Sequence, residues 1–353
     1  MKYIILLVLS HIMFFILGYS IYVYNDNFYV EKKTLNVEEK IDSNFKSMLK
    51  NSSDFNGLDN IYQTRNMIKE QYFNKKSIDF NIIVEDKYIL NEIDDVNIRI
   101  RIYKPKNMNK SLPVLIWFHG GGYVFGIPEV NEDLLIQIVK NLDCIVIAPD
   151  YRLAPENRYP AAINDCYQTL LWTIKNKDIL MINEQKVAIG GISAGGGLAT
   201  ALALKARDEN GPKICFVMAL YPMLDDRNKT LSSYQITDKR LWNRDINIKA
   251  WNLYLGENYN KNNVPIYAAP SRAMNLENLP STYIMIGSLD LFRDEAIEYA
   301  QRLLQSGVNV ELHVYPGGVH VFDKALPEAD ISIKAKTEYI EALKKAFFYD
   351  NAY

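Results

Sequence analysis

The sequence is poor in the residues that build metal and disulfide sites. Its 353 residues include 3 cysteines and 4 histidines, and no CxxC or Cys/His spacing is present. A sparse, odd set of cysteines does not form a disulfide framework, and the missing spacings exclude the common structural zinc sites. We therefore expect neither disulfides nor a metal.

A concentration of positive charge is also missing. The 40 Lys+Arg nearly balance the 42 Asp+Glu, and the cations are scattered along the chain. Binding to nucleic acid requires a basic patch or stripe, so we expect no nucleic-acid partner. Internal repeats and low-complexity linkers are absent as well. With 48% hydrophobic residues, the chain is expected to bury a substantial core.

One long hydrophobic run opens the chain. Residues 3–24 carry no formal charge when His11 is neutral, and as a helix they would extend about 33 Å, enough to cross a bilayer core. We predict that residues 1–24 form a membrane anchor and that the rest of the chain lies outside the cytoplasm. A cleaved signal peptide, with Gly18-Tyr19-Ser20 as a possible site, and a buried core helix remain alternatives. Lys2 and Lys32-Lys33 flank the run on opposite sides, so charge hardly decides its orientation.

Short apolar runs alternate with helix-like stretches beyond about residue 81. Runs that are apolar on both faces and separated by helices predict an α/β fold, with a mostly parallel central sheet covered by helices on both faces. Residues 25–80 are typical of short amphipathic helices, and residues 224–265 interrupt the alternation as a lid or an insertion. The apolar runs are PVLIWFHG, CIVIAPD, KVAIGGIS, KICFVMALYP, STYIMIGSLD and VELHVYPGG.

The pattern G-x-S-x-G follows one of these runs, at Gly191-Ile192-Ser193-Ala194-Gly195. On a sharp turn from strand to helix, such a serine points its hydroxyl outward, and the flanking glycines avoid a clash. The pattern alone is also compatible with a glycine-rich start of a helix. A nucleophilic role for Ser193 requires a base, because a free serine hydroxyl is a weak nucleophile.

His320 is the best candidate for that base. It follows Pro316-Gly317-Gly318, directly after the last apolar run, and therefore lies on a loop at the end of a strand. His313 lies inside that run and is expected to be structural, whereas His11 falls in the N-terminal hydrophobic segment. The alternative for His320 is an ordinary exposed histidine on a loop.

An acid is expected at another strand end, between the serine and the histidine in the chain. The run STYIMIGSLD ends at Asp290, which gives the order Ser, Asp, His that is typical of α/β-hydrolases. Asp294 and Glu295 are rivals, but they fall within a predicted helix, where capping or surface roles are expected.

Three glycines follow His119 at the end of another run. Attack by Ser193 on a carbonyl creates an oxyanion, which requires N–H groups that are already oriented. We predict that Gly121, Gly122 and Ala194 supply these amides, that Gly120 serves the turn, and that His119 orients the loop through a hydrogen bond. A plain glycine turn is the alternative.

These motifs together resemble the hormone-sensitive-lipase-like family of α/β-hydrolases. The matching stretches are HGGG at 119–122, DYRLAPE at 150–156, GISAGG at 191–196, LDLFRDE at 289–295 and GGVHVF at 317–322. The resemblance implies a catalytic domain over residues 81–353, with a helical cap from residues 25–80 and 224–265. The chain departs from the family pattern at Ile192, Gly197 and Leu291.

The resemblance implies a serine carboxylesterase that works through Ser193, Asp290 and His320 without a metal or cofactor, on short- to medium-chain esters. Hydrolysis of amides or acetylated sugars is an alternative, because the same oxyanion mechanism serves all three bonds. A non-catalytic small-molecule receptor on the same fold is a further alternative. Four aromatic residues are candidates either for an acyl pocket or for the core, namely Tyr123, Phe125, Trp242 and Trp251.

Overall fold

The computed structural model describes residues 34–73, 79, 81–259 and 261–349. The predicted anchor at residues 1–24 therefore lies outside the described residues. Within the described ranges, no helix is both long enough and apolar enough to cross a membrane.

A single sheet of eight strands occupies the centre of the described chain. Its order is β1-β2-β4-β3-β5-β6-β7-β8. Strand β2 pairs antiparallel with β1 and with β4, and all other pairs are parallel. The predicted α/β fold with a mostly parallel sheet is confirmed. The strands are β1 (Ile82–Asn91), β2 (Val96–Pro105), β3 (Leu112–Phe118), β4 (Ile145–Pro149), β5 (Ile182–Ile192), β6 (Phe216–Leu220), β7 (Ser281–Gly287) and β8 (Val310–Tyr315).

The middle of the sheet is covered on both faces. Every residue of β3, β4 and β6 is buried, which explains why these runs are apolar without alternation. The longer helices connect and cover the strands. The helices are α1 (Val37–Lys40), α2 (Lys46–Asn51), α3 (Ile61–Tyr72), α4 (Glu132–Leu142), α5 (Ala161–Lys175), α6 (Lys177–Leu180), α7 (Ala194–Asp208), α8 (Leu231–Gln235), α9 (Arg244–Leu255), α10 (Arg293–Gln305), α11 (Phe322–Ala325) and α12 (Asp330–Phe348).

Helix α12 was not anticipated from the sequence. Its buried residues include Ala335, Tyr339 and Leu343, which recur every four positions. That spacing is an amphipathic signal, so the sequence did contain the information.

Two distant segments of the chain are hydrogen-bonded to each other beside the sheet. The amide of Leu35 donates to the carbonyl of Gln235 at 3.0 Å, and the amide of Phe55 donates to that of Lys239 at 2.8 Å. Arg240 adds a bond to the carboxylate of Glu38 at 2.8 Å. We call residues 34–73 together with residues 224–265 the cap. Its pairing explains how short helices such as α1 and α2 persist, since isolated helices of this length are unstable in water.

Candidate active site

Ser193 lies between the end of β5 and the start of α7. Its backbone has φ 55° and ψ −120°, a conformation that a residue with a side chain rarely adopts. Three backbone bonds hold it there: the amide of Ser193 donates to the carbonyl of Leu220 at 2.9 Å, and the amides of Met223 and Gly197 donate to the carbonyl of Ser193 at 3.1 and 3.0 Å. The strain is thus held by the neighbouring strand end, which leaves the hydroxyl at the carboxyl edge of the sheet.

The structure brings Ser193, His320 and Asp290 together in one hydrogen-bonded chain. Oγ of Ser193 lies 3.0 Å from Nε2 of His320, and Nδ1 of His320 lies 2.7 Å from Oδ2 of Asp290. Asp290 is fully buried, and the other two are 4% and 8% exposed. The second oxygen of Asp290 accepts the amide of Phe292 at 3.0 Å. This arrangement suits a serine, a base and an acid that orients the base.

The loops that carry Asp290 and His320 are bonded to each other. The amide of Gly317 donates to Oγ of Ser288 at 2.9 Å, and the amide of Leu289 donates to the carbonyl of Gly318 at 2.9 Å. Because both loops follow adjacent parallel strands, β7 and β8, these bonds fix the spacing of the two side chains.

Three aromatic rings that the sequence analysis did not assign to this role surround the imidazole of His320. Tyr221 and Phe292 meet it edge-on, each with ring centroids 5.2 Å apart, and Trp242 lies at 6.3 Å. Burial raises the pKa of Tyr221 well above its usual value. Tyr221 follows β6 and Phe292 follows Asp290, so positions at strand ends were the available signal. Trp242 comes from the cap, which the local pattern did not relate to the imidazole.

The glycine loop, residues 119–126, lies directly against the turn that carries Ser193. A methyl group on Gly120 would lie 3.0 Å from the carbonyl oxygen of Ile192 and 3.3 Å from Cβ of Ser193. The left-handed turn begins after it, because Gly121 and Gly122 have φ 124° and 60°. Gly120, which we predicted to serve the turn, lies one residue before these positive φ values, and its lack of a side chain lets the loop approach the turn of Ser193 closely.

The three predicted donors have unused amides within the described part of the chain. The N–H groups of Gly121, Gly122 and Ala194 form no hydrogen bond with any acceptor there. Ala194 also begins helix α7, where the first amides lack intrahelical partners. Gly191 and Gly195 flank the serine, and both lie so close to the carbonyl oxygen of Phe118 that neither has room for a side chain.

His119 is buried beneath the glycine loop. Its Nδ1 lies 2.9 Å from the carbonyl of Gly120, and its ring stacks on Tyr151 at 4.1 Å. The hydroxyl of Tyr151 donates to the carbonyl of His119 at 2.7 Å. Burial lowers the pKa of His119 to about 4. A neutral imidazole that donates to the loop is consistent with the predicted orienting role.

The rival acids make different contacts. Oδ2 of Asp294 accepts the amide of Ser232 in helix α8 at 2.6 Å, which is a capping interaction. Glu295 is 3% exposed, and its Oε1 accepts the amides of Leu224 and Asp225 at 2.7 and 3.2 Å. The expectation of a capping or surface role was wrong for Glu295, because the cap segment that starts at residue 224 covers it. Burial and nearby Asp225 raise its pKa well above the usual range.

The aromatic candidates divide between core and site. Tyr123 and Trp251 are buried and 5.5 Å apart, and Tyr123 also stacks on Tyr254 at 3.9 Å. Phe125 is 4% exposed. Trp242 is only partly buried and lies over Gly122, where an added methyl group would be 2.5 Å from the indole. Trp242 is therefore the one of the four that faces the glycine loop and His320.

The described residues contain no cluster of three or more His, Cys, Asp or Glu side chains able to hold a metal ion. The groups that the structure brings together at this site are a serine hydroxyl, an imidazole, a carboxylate and backbone amides.

A family model for the alpha/beta hydrolase fold matches residues 115–324, which is more than half of the chain. The chain belongs to the hormone-sensitive-lipase-like family of α/β-hydrolases. The family predicted from the motifs is thereby confirmed. The matched range in this α/β-hydrolase extends from β3 to α11, and so includes the glycine loop, Ser193, Asp290 and His320.

Several relatives of this α/β-hydrolase are esterases. Esterase LipI of Mycobacterium tuberculosis is 36% identical over 221 residues, 60% of this chain and 67% of the relative. An arylesterase of Saccharolobus solfataricus is 35% identical over 238 residues, 65% of this chain and 74% of the relative. Human arylacetamide deacetylase-like 2 is 29% identical over 304 residues, 69% and 76% of the two chains. Among solved structures, a bacterial heroin esterase is similar with a TM-score of 0.84 and 35% identity, covering 88% of this chain and 99% of that one.

Proposed function

We propose that this protein is a serine carboxylesterase that forms an acyl-enzyme on Ser193. The observation that carries the proposal is the hydrogen-bonded chain from Oγ of Ser193 through His320 to buried Asp290. A weakly nucleophilic hydroxyl gains reactivity when a base 3.0 Å away can take its proton. The esterase names of the relatives support the same conclusion.

In the first half of the reaction, Oγ of Ser193 attacks the ester carbonyl while its proton moves to Nε2 of His320. The carboxylate of Asp290 stabilises the imidazolium through Nδ1–H. His320 then gives the proton to the departing alcohol. In the second half, His320 takes a proton from water, the hydroxide attacks the acyl-enzyme, and Ser193 regains its proton as the acid leaves.

The negative charge on the carbonyl oxygen is assigned to the amides of Gly121, Gly122 and Ala194. Each is free of other acceptors in the described chain, so none must break a bond to serve the transition state. Removing a donor of this kind typically costs about 3 kcal/mol of barrier. Together with Ser193, His320 and Asp290, these amides supply the groups that the proposed hydrolysis requires besides water.

The acyl chain is proposed to be short to medium in length. Phe55 and Trp242 of the cap lie 5.9 Å apart, and Phe125 lies 6.5 Å from Phe55. These rings form an aromatic wall of which Trp242 lies against Gly122, with its ring centroid 6.3 Å from that of His320. Such a wall favours acyl groups that end before it.

The test is hydrolysis of p-nitrophenyl acetate, butyrate, octanoate and palmitate by the full chain, with Ser193→Ala as the blank. We expect fast turnover of the shorter esters and a loss of several orders of magnitude in Ser193→Ala. Asp290→Asn should lower kcat by about 10⁴-fold. The matched Asp294→Asn should retain activity, since Asp294 bonds Ser232. Equal losses in both aspartate variants would contradict the choice of Asp290.

Two other outcomes correspond to the alternatives. Turnover of p-nitroacetanilide or an acetylated sugar in preference to every p-nitrophenyl ester would assign the site to amide or sugar-acetyl hydrolysis. A folded protein that hydrolyses none of these compounds, but binds one, would favour a small-molecule receptor.

We propose further that residues 1–24 anchor the enzyme in a membrane, with the catalytic domain outside the cytoplasm. The uncharged run at residues 3–24 supports this. Retention in membranes after alkaline carbonate washing, together with an intact N-terminus by mass spectrometry, is the expected result. A mature N-terminus near Ser20 in the medium would instead indicate a secreted enzyme.

A further inference from the structure

The loop that carries the oxyanion amides is locally strained. Gly121 is at φ 124°, and Tyr123 is at φ 64° although it has a side chain. Two bonds to the carbonyl of Gly121 close the turn, from the amides of Val124 and Phe125 at 3.0 and 2.9 Å. A conformation of this kind persists only where its surroundings hold it in place. Groups outside the loop must therefore hold it.

One side chain of the cap binds this loop directly. Arg65 in helix α3 donates from Nε to the carbonyl of Val124 at 2.8 Å and from Nη2 to the carbonyl of Ala154 at 2.6 Å. Its two terminal nitrogens also contact the carboxylate of Glu156, at 2.9 and 3.0 Å. The amide of Ala154 in turn donates to the carbonyl of Tyr123 at 2.9 Å. The guanidinium thus links the carbonyl of Val124 to that of Ala154, two segments that are also bonded directly to each other through the amide of Ala154 and the carbonyl of Tyr123.

The chemistry of arginine suits this place. Its donors lie in one plane and can meet two carbonyls and a carboxylate at once, whereas a lysine ammonium acts as a point charge. Arg65 is only 17% exposed in its side chain, so its bonds are partly shielded from water. It also holds the pKa of Glu156 below the usual range, which keeps the opposite charge in place.

We propose that Arg65 is a positioning residue that holds the glycine loop, residues 119–126, in its active geometry. Through Arg65, the cap would thus help to orient the amides that stabilise the transition state. The proposal rests on the proposed function. Among its described contacts, Arg65 has none with Ser193, Asp290 or His320. Its effect must therefore pass through the loop.

The expected consequence is a selective loss in the transition state. Misplacement of reacting groups by about 1 Å can cost on the order of 100-fold in rate. We expect Arg65→Ala to lower kcat by about 10- to 100-fold while KM changes little. Arg65→Lys should lose less, because one donor remains. Affinity for a trifluoromethyl ketone, which forms an oxyanion on Ser193, should fall with kcat/KM.

The matched control is Arg240→Ala. Arg240 is also an arginine of the cap and bonds Asp238, Glu38 and the carbonyl of Leu49, and none of its described contacts is with residues 119–126. We expect its kcat to stay within about twofold of the wild type. Millimolar guanidinium ion should restore part of the activity of Arg65→Ala and none of Arg240→Ala.

Hydrogen–deuterium exchange of the peptide that covers residues 119–126 tests the proposal independently of ester hydrolysis. Faster exchange in Arg65→Ala, but not in Arg240→Ala, is expected. Unchanged exchange, or an unchanged kcat in folded Arg65→Ala, would overturn the proposal. If the wild type hydrolyses no ester, the proposed function fails while the exchange result still decides whether Arg65 orders the loop. Should Arg65→Ala not fold, Arg65→Lys and Arg65→Gln are measured in the same way.

Discussion

Because His119 is buried, we expect the free energy of unfolding to fall by a calculable amount as the pH is lowered. Its Nδ1 lies 2.9 Å from the carbonyl of Gly120, so this nitrogen carries the proton of the neutral ring. Its buried Nε2 has no hydrogen-bond partner among the described residues. A second proton would create a charge at an atom without an acceptor, which is why burial lowers the pKa to about 4.

The sign of the effect follows from linkage. An unfolded chain binds a proton at His119 below about pH 6.5, whereas the folded chain does not do so until about pH 4. The unfolded state therefore gains stability between these values as the pH falls. For this shift, the loss in free energy of unfolding is about 2 kcal/mol between pH ~7.5 and pH ~5.

The variant His119→Asn isolates this contribution. An asparagine amide can still donate to the carbonyl of Gly120 but does not titrate, so other groups contribute equally to both proteins. Urea unfolding at several pH values should show the wild type losing about 2 kcal/mol more than the variant as the pH falls to ~5. Parallel pH profiles for the two proteins would refute the reasoning, because they would mean that His119 takes up its proton in the folded state as readily as in the unfolded one.

Three further outcomes follow from buried contacts. Gly122→Ala should lower kcat by about 100-fold, because the methyl group would meet the indole of Trp242 and because a side chain is strained at φ 60°. Combining it with Trp242→Ala should recover part of the activity, and no recovery would assign the loss to the backbone alone. Glu129→Gln should reduce the free energy of unfolding by about 1 to 2 kcal/mol, measured in urea. Arg99 loses the charge of its buried partner at 2.6 Å but keeps its ion pairs with Asp150 and Asp86, and an unchanged free energy of unfolding would contradict this. Folding raises the pKa of Glu295, so the free energy of unfolding of the wild type should fall as the pH rises above about 4.5, the pKa of this carboxyl in the unfolded chain. Glu295→Gln should therefore be more stable than the wild type at alkaline pH in thermal melts. The reverse order would count against a protonated carboxyl.

The cap illustrates a contact that sequence patterns could not supply. Its amphipathic segments were recognisable, but the bond between Leu35 and Gln235 joins residues 200 positions apart. No local pattern specifies such a pairing. The same holds for Trp242 over Gly122 and for Arg65 against Val124, which depend on the path of the chain between them.

The sequence by itself determined the elements that depend on neighbouring residues. Uniformly apolar runs predicted the buried strands, and residues at the ends of parallel strands were expected at one edge of the sheet, which is where Ser193, Asp290 and His320 lie. Only the tertiary structure decided the surroundings of these residues, such as the rings beside His320 and the buried carboxyl of Glu295. The physical reason is range: periodicity and turn chemistry act over a few residues, whereas burial and partner choice are set by segments that meet only after folding.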